Sequence, residues 1–162
     1  MTTYDFLDGA GPVPAHQHSN GGGWVADSTR VVASAYIGPD AQVFGNAWVY
    51  GNARVFGRAW VWGNARVSGN AVVCGTARVF DGAKVCGNAV VYGNATIYGN
   101  ASVYDNARVF GRAWVWDNAT VYGNAVVYGN AEVFGNADVC GNAVVGMRLD
   151  AESLKIVKIV PR

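Results

Sequence analysis

Few side chains of this 162-residue chain could carry chemistry, and they fall into three groups. His16 and His18 flank Gln17, and in an extended segment alternate side chains point the same way, so both imidazoles could address one metal ion. Two nitrogens make a poor site in one chain. Three chains around a common axis would bring six from His16 and His18 together. The simpler expectation is a polar lead-in before Gly21-Gly22-Gly23. Cys74, Cys86 and Cys140 are the three thiols, and an odd count gives no disulfide framework. The third group is aromatic. Trp60-Val61-Trp62 and Trp114-Val115-Trp116 set two indoles around one valine, and Arg58 and Arg112 precede them at the same distance. Cation–π contacts between these arginines and the tryptophans are the expectation.

What must position these groups is a short, fixed period. From Val25 to Val145 an aliphatic residue occupies every sixth position without insertion or deletion. The unit is seen in Val43-Phe44-Gly45-Asn46-Ala47-Trp48. Alanine, variable, valine, variable alternates inward and outward like a strand with one buried face, and valine favours that conformation. Gly-Asn then breaks it, because these residues enter the left-handed region most readily. Each hexad is therefore a very short strand and a corner. Such a strand buries too little to fold alone, so copies must stack at about 4.8 Å spacing. The string from Ala53 to Trp62 recurs from Ala107 to Trp116, nine hexads further on. Nine hexads make three coils of three but no whole number of coils of four. Three hexads therefore form a triangular coil, and a block of three coils is duplicated.

The pattern aliphatic-x-x-Asn-small-x resembles the hexapeptide-repeat proteins, whose known members include acyltransferases and γ-class carbonic anhydrases. The resemblance covers residues 25–146, about seven coils. It implies an all-β fold: a single-stranded, left-handed parallel β-helix. Gly22-Gly23-Trp24-Val25 and the Gly-Asn-Ala-x-Val variant also look like repeat proteins of bacteria and phages. Trimeric phage spike tips that bind metal through His-x-His are similar to the arrangement suggested for His16 and His18. Domain boundaries follow: 1–23 a lead-in and cap, 24–146 the β-helix, 147–162 a C-terminal cap. Tyr4, Phe6 and Leu7 are expected to cover the first coil. At the far end Leu154, Ile156, Val157, Ile159 and Val160 suggest a strand or irregular cap.

Sorted by coil, the outward residues form three faces. On the first, Phe44, Trp62, Phe80, Tyr98, Trp116 and Phe134 follow the valines, while Trp24, Trp60 and Trp114 stand among the residues preceding them. Side chains one coil apart stack, so this is an aromatic ladder. Exposed rings over six coils exceed what monomers normally leave bare. The nine rings are therefore expected to form an interface, for a homodimer or homotrimer, or to stack against sugars of a glycan. Cys86 and Cys140 share a column three coils apart, about 14 Å, beyond disulfide reach. The asparagines of two corners, beginning at Asn46 and Asn52, are expected to hydrogen-bond along the stack.

Enzymes of the resembling families need histidines on the coils, but both histidines here precede the first coil. No hexad is interrupted by a loop that could enclose a substrate. A divergent acyltransferase-like enzyme is thus the least favoured reading, and function must be argued from the site. A formal charge of +1 gives no electrostatic case for nucleic acid or an anionic membrane. No apolar run approaches the roughly 20 residues of a membrane helix, and no secretory signal is visible. The expectation is a non-catalytic structural module needing no cofactor, cytoplasmic or associated with a virion or cell surface, as in a phage tail or bacterial surface assembly.

Overall fold

The computed structural model describes residues 2–147. Among them are 23 strands: β1 (Thr3–Tyr4), β2 (Val13–Gln17), β3 (Trp24–Ala26), and then two-residue strands at every sixth position from Arg30–Val31 to Val144–Val145. From β3 onward the strands pair in parallel with a register of one coil, as Arg66 faces Trp48 on one side and Lys84 on the other. Three sheets result, one of nine strands and two of seven, each forming one side of a solenoid of about seven turns. The backbone N–H of Trp48, Tyr50 and Asn52 donate to the carbonyls of Ala65, Val67 and Gly69 one coil on, at 2.9, 3.0 and 2.8 Å. Donors are thus satisfied by the neighbouring coil, which is why a two-residue strand is stable here and nowhere alone.

The inside is the hexad made solid. The aliphatic residues at every sixth position from Val43 to Val133, with Ile97 among them, and the alanines between are 0% exposed and form one continuous core. The corners explain the glycine. Gly69 sits at φ +69°, and a Cβ there would lie 2.9 Å from the Gly87 carbonyl oxygen of the next coil. Asp81, Asp105 and Asp117 take this position with φ of 55°, 57° and 57°. Their carboxylates accept hydrogen bonds from the N–H of Gly99, Gly123 and Gly135 at 3.3, 3.2 and 3.2 Å. Such a bond to the next coil's backbone offsets the left-handed cost that a side chain otherwise meets. The following asparagines form amide ladders: Asn70, Asn88, Asn106, Asn124 and Asn142 in one corner, Asn100, Asn118 and Asn136 in another. The ladders are shorter than expected, since Asn46, Asn52 and Asn64 do not join them.

The N-terminal segment behaves otherwise than expected. β1 and β2 form an antiparallel hairpin, and β2 pairs antiparallel with β3, adding both strands to the nine-stranded sheet. The first coil's end is met by backbone: the Asn20 carbonyl accepts from Ile37 N–H, and the Ile37 carbonyl accepts from Gly23 N–H. Tyr4 and Phe6 do not cover that end but lie against the outer aromatic face, and Leu7 is 75% exposed. The expected C-terminal strand or cap from Leu154 to Val160 lies outside the described residues. Among the described residues no helix is long and apolar enough to cross a membrane.

Candidate interaction face

The nine-stranded sheet carries the residues singled out from the sequence. Because successive side chains of a strand point to opposite faces, the positions on either side of each buried valine project outward in two columns. In the column after the valine the rings form one stack. Phe44, Trp62, Phe80, Tyr98, Trp116 and Phe134 follow at centroid distances of 5.7, 4.2, 5.1, 5.8 and 4.7 Å. The rings are nearly parallel, with interplanar angles of 2°, 9°, 5°, 7° and 8° in the same order. The first coil has Ala26 where the next ring would stand, and Phe6 from the hairpin fills that place. Phe6 stacks on Phe44 at 4.8 Å and both are buried, at 1% and 3% exposure. Tyr4 lies on Trp24 at 4.3 Å, and its hydroxyl accepts from the Gln42 amide at 3.2 Å. Trp24 and Phe44 are therefore occupied by the chain's own N-terminus, which corrects their expected place in an open interface. The rungs from Trp62 to Phe134 are half-buried.

The column before the valine is mixed: Trp24, which Tyr4 covers, then Gln42, Trp60, Arg78, Thr96, Trp114 and Glu132. Trp60 and Trp114 meet the ladder edge-on, each 6.2 Å from its neighbour Trp62 or Trp116. Trp114 is 46% exposed. Between this column and the adjoining corner runs a shallow trough. One part, about 480 Å³, includes Asp40, Gln42, Arg58, Trp60, Thr76 and Arg78 in its walls. The next, about 330 Å³, is walled by Thr76, Arg78, Asn94, Thr96, Arg112 and Trp114. Thr76 and Arg78 belong to both parts, so the trough is continuous over these coils.

The expected cation–π pairs of Arg58 and Arg112 are not formed. Arg78 takes Trp60 at 5.8 Å, and elsewhere Arg30 and Arg66 approach Trp48 at 4.6 and 5.4 Å. The reason is register. Strands one coil apart are neighbours, so Arg78 stands directly over Trp60, whereas Arg58 sits at a corner. Arg78 follows Trp60 by one coil in the sequence, and that offset was the available signal.

His16 and His18 do not form a chelating pair within the chain. His16 is exposed, with Nδ1 2.7 Å from an Asp27 carboxylate oxygen. His18 follows the end of β2 and is 5% exposed. Its Nδ1 lies 3.2 Å from the Asn20 carbonyl and 3.3 Å from the Asn20 N–H, donating or accepting according to tautomer. Among the described residues no three His, Cys, Asp or Glu side chains gather to hold a metal. The three cysteines are free. Burial pushes the thiols of Cys74 and Cys86 up, with Asp105 adding to the effect at Cys86, so both favour the protonated, less nucleophilic form. The Tyr122 hydroxyl, hydrogen-bonded to Cys140 and facing the charge that thiol can develop, is pushed up to about 12.

The chain matches a family described as the YdcK beta solenoid repeat, over residues 59–75, 83–99, 91–104 and 113–129. These segments lie within the coils that carry the ladder and the trough, so the chain is similar to that repeat there. No curated protein and no solved structure matches the chain.

Proposed function

We propose that this β-helix is a rigid, non-catalytic module that self-associates through the upper rungs of its aromatic ladder, Trp62 to Phe134. The carrying observation is the way the chain treats the lower rungs. Phe6, remote in sequence and outside the repeat, inserts beside Ala26 and stacks on Phe44, burying both rings almost completely. The ladder thus takes rings from outside its own coils, and such burial contributes about 25 cal/mol per Å² of apolar area plus about 0.5–1.5 kcal/mol per ring pair. A second copy offers the same straight strip of rings, and a symmetric pair of strips is self-complementary. The unbroken one-coil register supports a scaffold, because every coil serves stacking. A phage tail or bacterial surface assembly is the setting this reading implies. Sedimentation of the full chain over a dilution series tests it, with a mass above 17.1 kDa expected at high concentration and dissociation on dilution. A chelator added in parallel reads any metal bridge through His16, whose exposed ring faces solvent.

The trough supports a second reading, carbohydrate binding beside Trp60 and Trp114. Its walls combine indole surface with Thr76, Asn94 and Thr96, groups suited to a pyranose ring and its hydroxyls. Loss of glycan binding in Trp60→Ala and Trp114→Ala is the expected result, and unchanged binding contradicts it.

A further inference from the structure

The trough carries a charge pattern that neutral sugar binding does not call for. Arg58 and Arg112 stand where most corners hold asparagine, one duplication apart. Three coils separate them, about 14 Å at the usual strand spacing. Among the described residues neither side chain has an ion pair, hydrogen bond or ring contact, and both are exposed on the trough wall. Arg78 lies between them and over Trp60. The acidic groups of this strip stand toward its two ends: Asp40 on the wall of the first part, Glu132 one coil beyond Trp114. The result is a basic middle bounded by carboxylates, on a chain whose net charge is only +1.

We infer that the trough is a binding site for an acidic oligosaccharide, a short uronate chain laid along the coils from Arg58 to Arg112. This rests on the carbohydrate reading above and names its ligand class. The planar guanidinium forks of Arg58 and Arg112 match carboxylates in a two-point hydrogen bond. Trp60 and Trp114 offer ring surface to the C–H faces of sugars, and Thr76, Asn94 and Thr96 lie between to meet hydroxyls. Arginine spacing and tryptophan spacing are the same because both come from the duplication, so equivalent sugars of a repeating chain meet equivalent groups. A nucleic acid fits less well, since it asks for a long basic footprint and this one is bracketed by Asp40 and Glu132.

Calorimetric titration of the full chain with three probes tests this: a short oligogalacturonate, a neutral cello-oligosaccharide of equal length and a single-stranded oligonucleotide. The expected order is uronate tightest, the neutral chain about tenfold or more weaker, and the oligonucleotide weakest, with uronate affinity falling as salt is raised. Arg58→Gln and Arg112→Gln are each expected to weaken uronate binding about tenfold while leaving neutral binding and the melting temperature unchanged. Equal binding of uronate and neutral chains overturns the acidic assignment and leaves the carbohydrate reading standing. No binding of either at millimolar concentration overturns both. Tighter binding of the oligonucleotide, or uronate binding indifferent to both arginine substitutions, overturns the inference as well.

Discussion

Phe44, Trp62, Phe80, Tyr98, Trp116 and Phe134 stand one position after the buried valines of a sheet whose preceding positions hold Trp24, Gln42, Trp60, Arg78, Thr96, Trp114 and Glu132. Backbone, register and core are the same for both columns, so the contrast between them is side-chain chemistry alone. In the first, flat rings meet flat rings at the coil repeat and cover one another's faces. In the second, tryptophans alternate with polar and charged groups, nothing stacks continuously, and a trough opens. The solenoid thus separates ring stacking from an open, polar trough by column. The ladder adds cohesion between coils and leaves its upper rungs half-buried; the mixed column adds little cohesion and turns polar groups outward.

The comparison can be broken most severely at a corner, where both columns depend on the same coil spacing. Gly69→Val places a β-branched side chain at φ +69° against the next coil's backbone. A loss of at least about 3 kcal/mol is expected from left-handed strain and the clash together, seen as an early chemical-denaturation midpoint. Phe80→Ala removes the ring between Trp62 and Tyr98. Two stacked pairs and their buried area amount to about 2–3 kcal/mol, with oligosaccharide binding unaffected. Trp114→Ala takes a half-exposed ring held only edge-on by Tyr98 and Trp116. It is expected to cost about 1 kcal/mol of stability yet to lose the ligand. Equal destabilisation by the Phe80 and Trp114 substitutions would erase the distinction between columns.

The smallest effect lies on a different side. Tyr122 holds its proton to about pH 12 instead of 10.0, through its hydrogen bond and electrostatic coupling to Cys140. The folded chain binds this proton more tightly than the unfolded chain. Its contribution to stability is therefore full below pH 10 and is lost as pH rises towards about 12. In Cys140→Ala the phenolate absorbance of Tyr122 is expected to develop at lower pH, and an unshifted titration would remove Cys140 as the cause.

Where the hexad runs, the residues were legible. The valine core, the glycine corners and the asparagine ladders all follow from a register that every coil repeats, so a single physical argument covers them. The aromatic stack was legible too, because neighbours one coil apart must meet. Outside the repeat no such register constrains the chain. Ala26 marks a missing rung one coil before Phe44, but nothing in the spacing of Tyr4 and Phe6 fixes their register against the coils, so what fills it shows only once the hairpin's path is known. His18 is buried for the same reason: the chain turns after β2 and leaves the alternation that paired it with His16. Their shared offset singles out Arg58 and Arg112 but misleads about their role, since the cation nearest a ring is set by coil neighbours, not chain neighbours. The trough itself emerges from corner and strand residues together.

The claim that the upper ladder joins two copies is tested most directly by light scattering of the wild type beside Tyr98→Arg at matched high concentration. Arginine keeps a planar group between Phe80 and Trp116 but sets a charge on the strip's outer edge. A wild-type mass at least twice 17.1 kDa and a folded variant near 17.1 kDa are expected. A wild type that stays at 17.1 kDa, or an oligomer that Tyr98→Arg leaves intact, contradicts that claim.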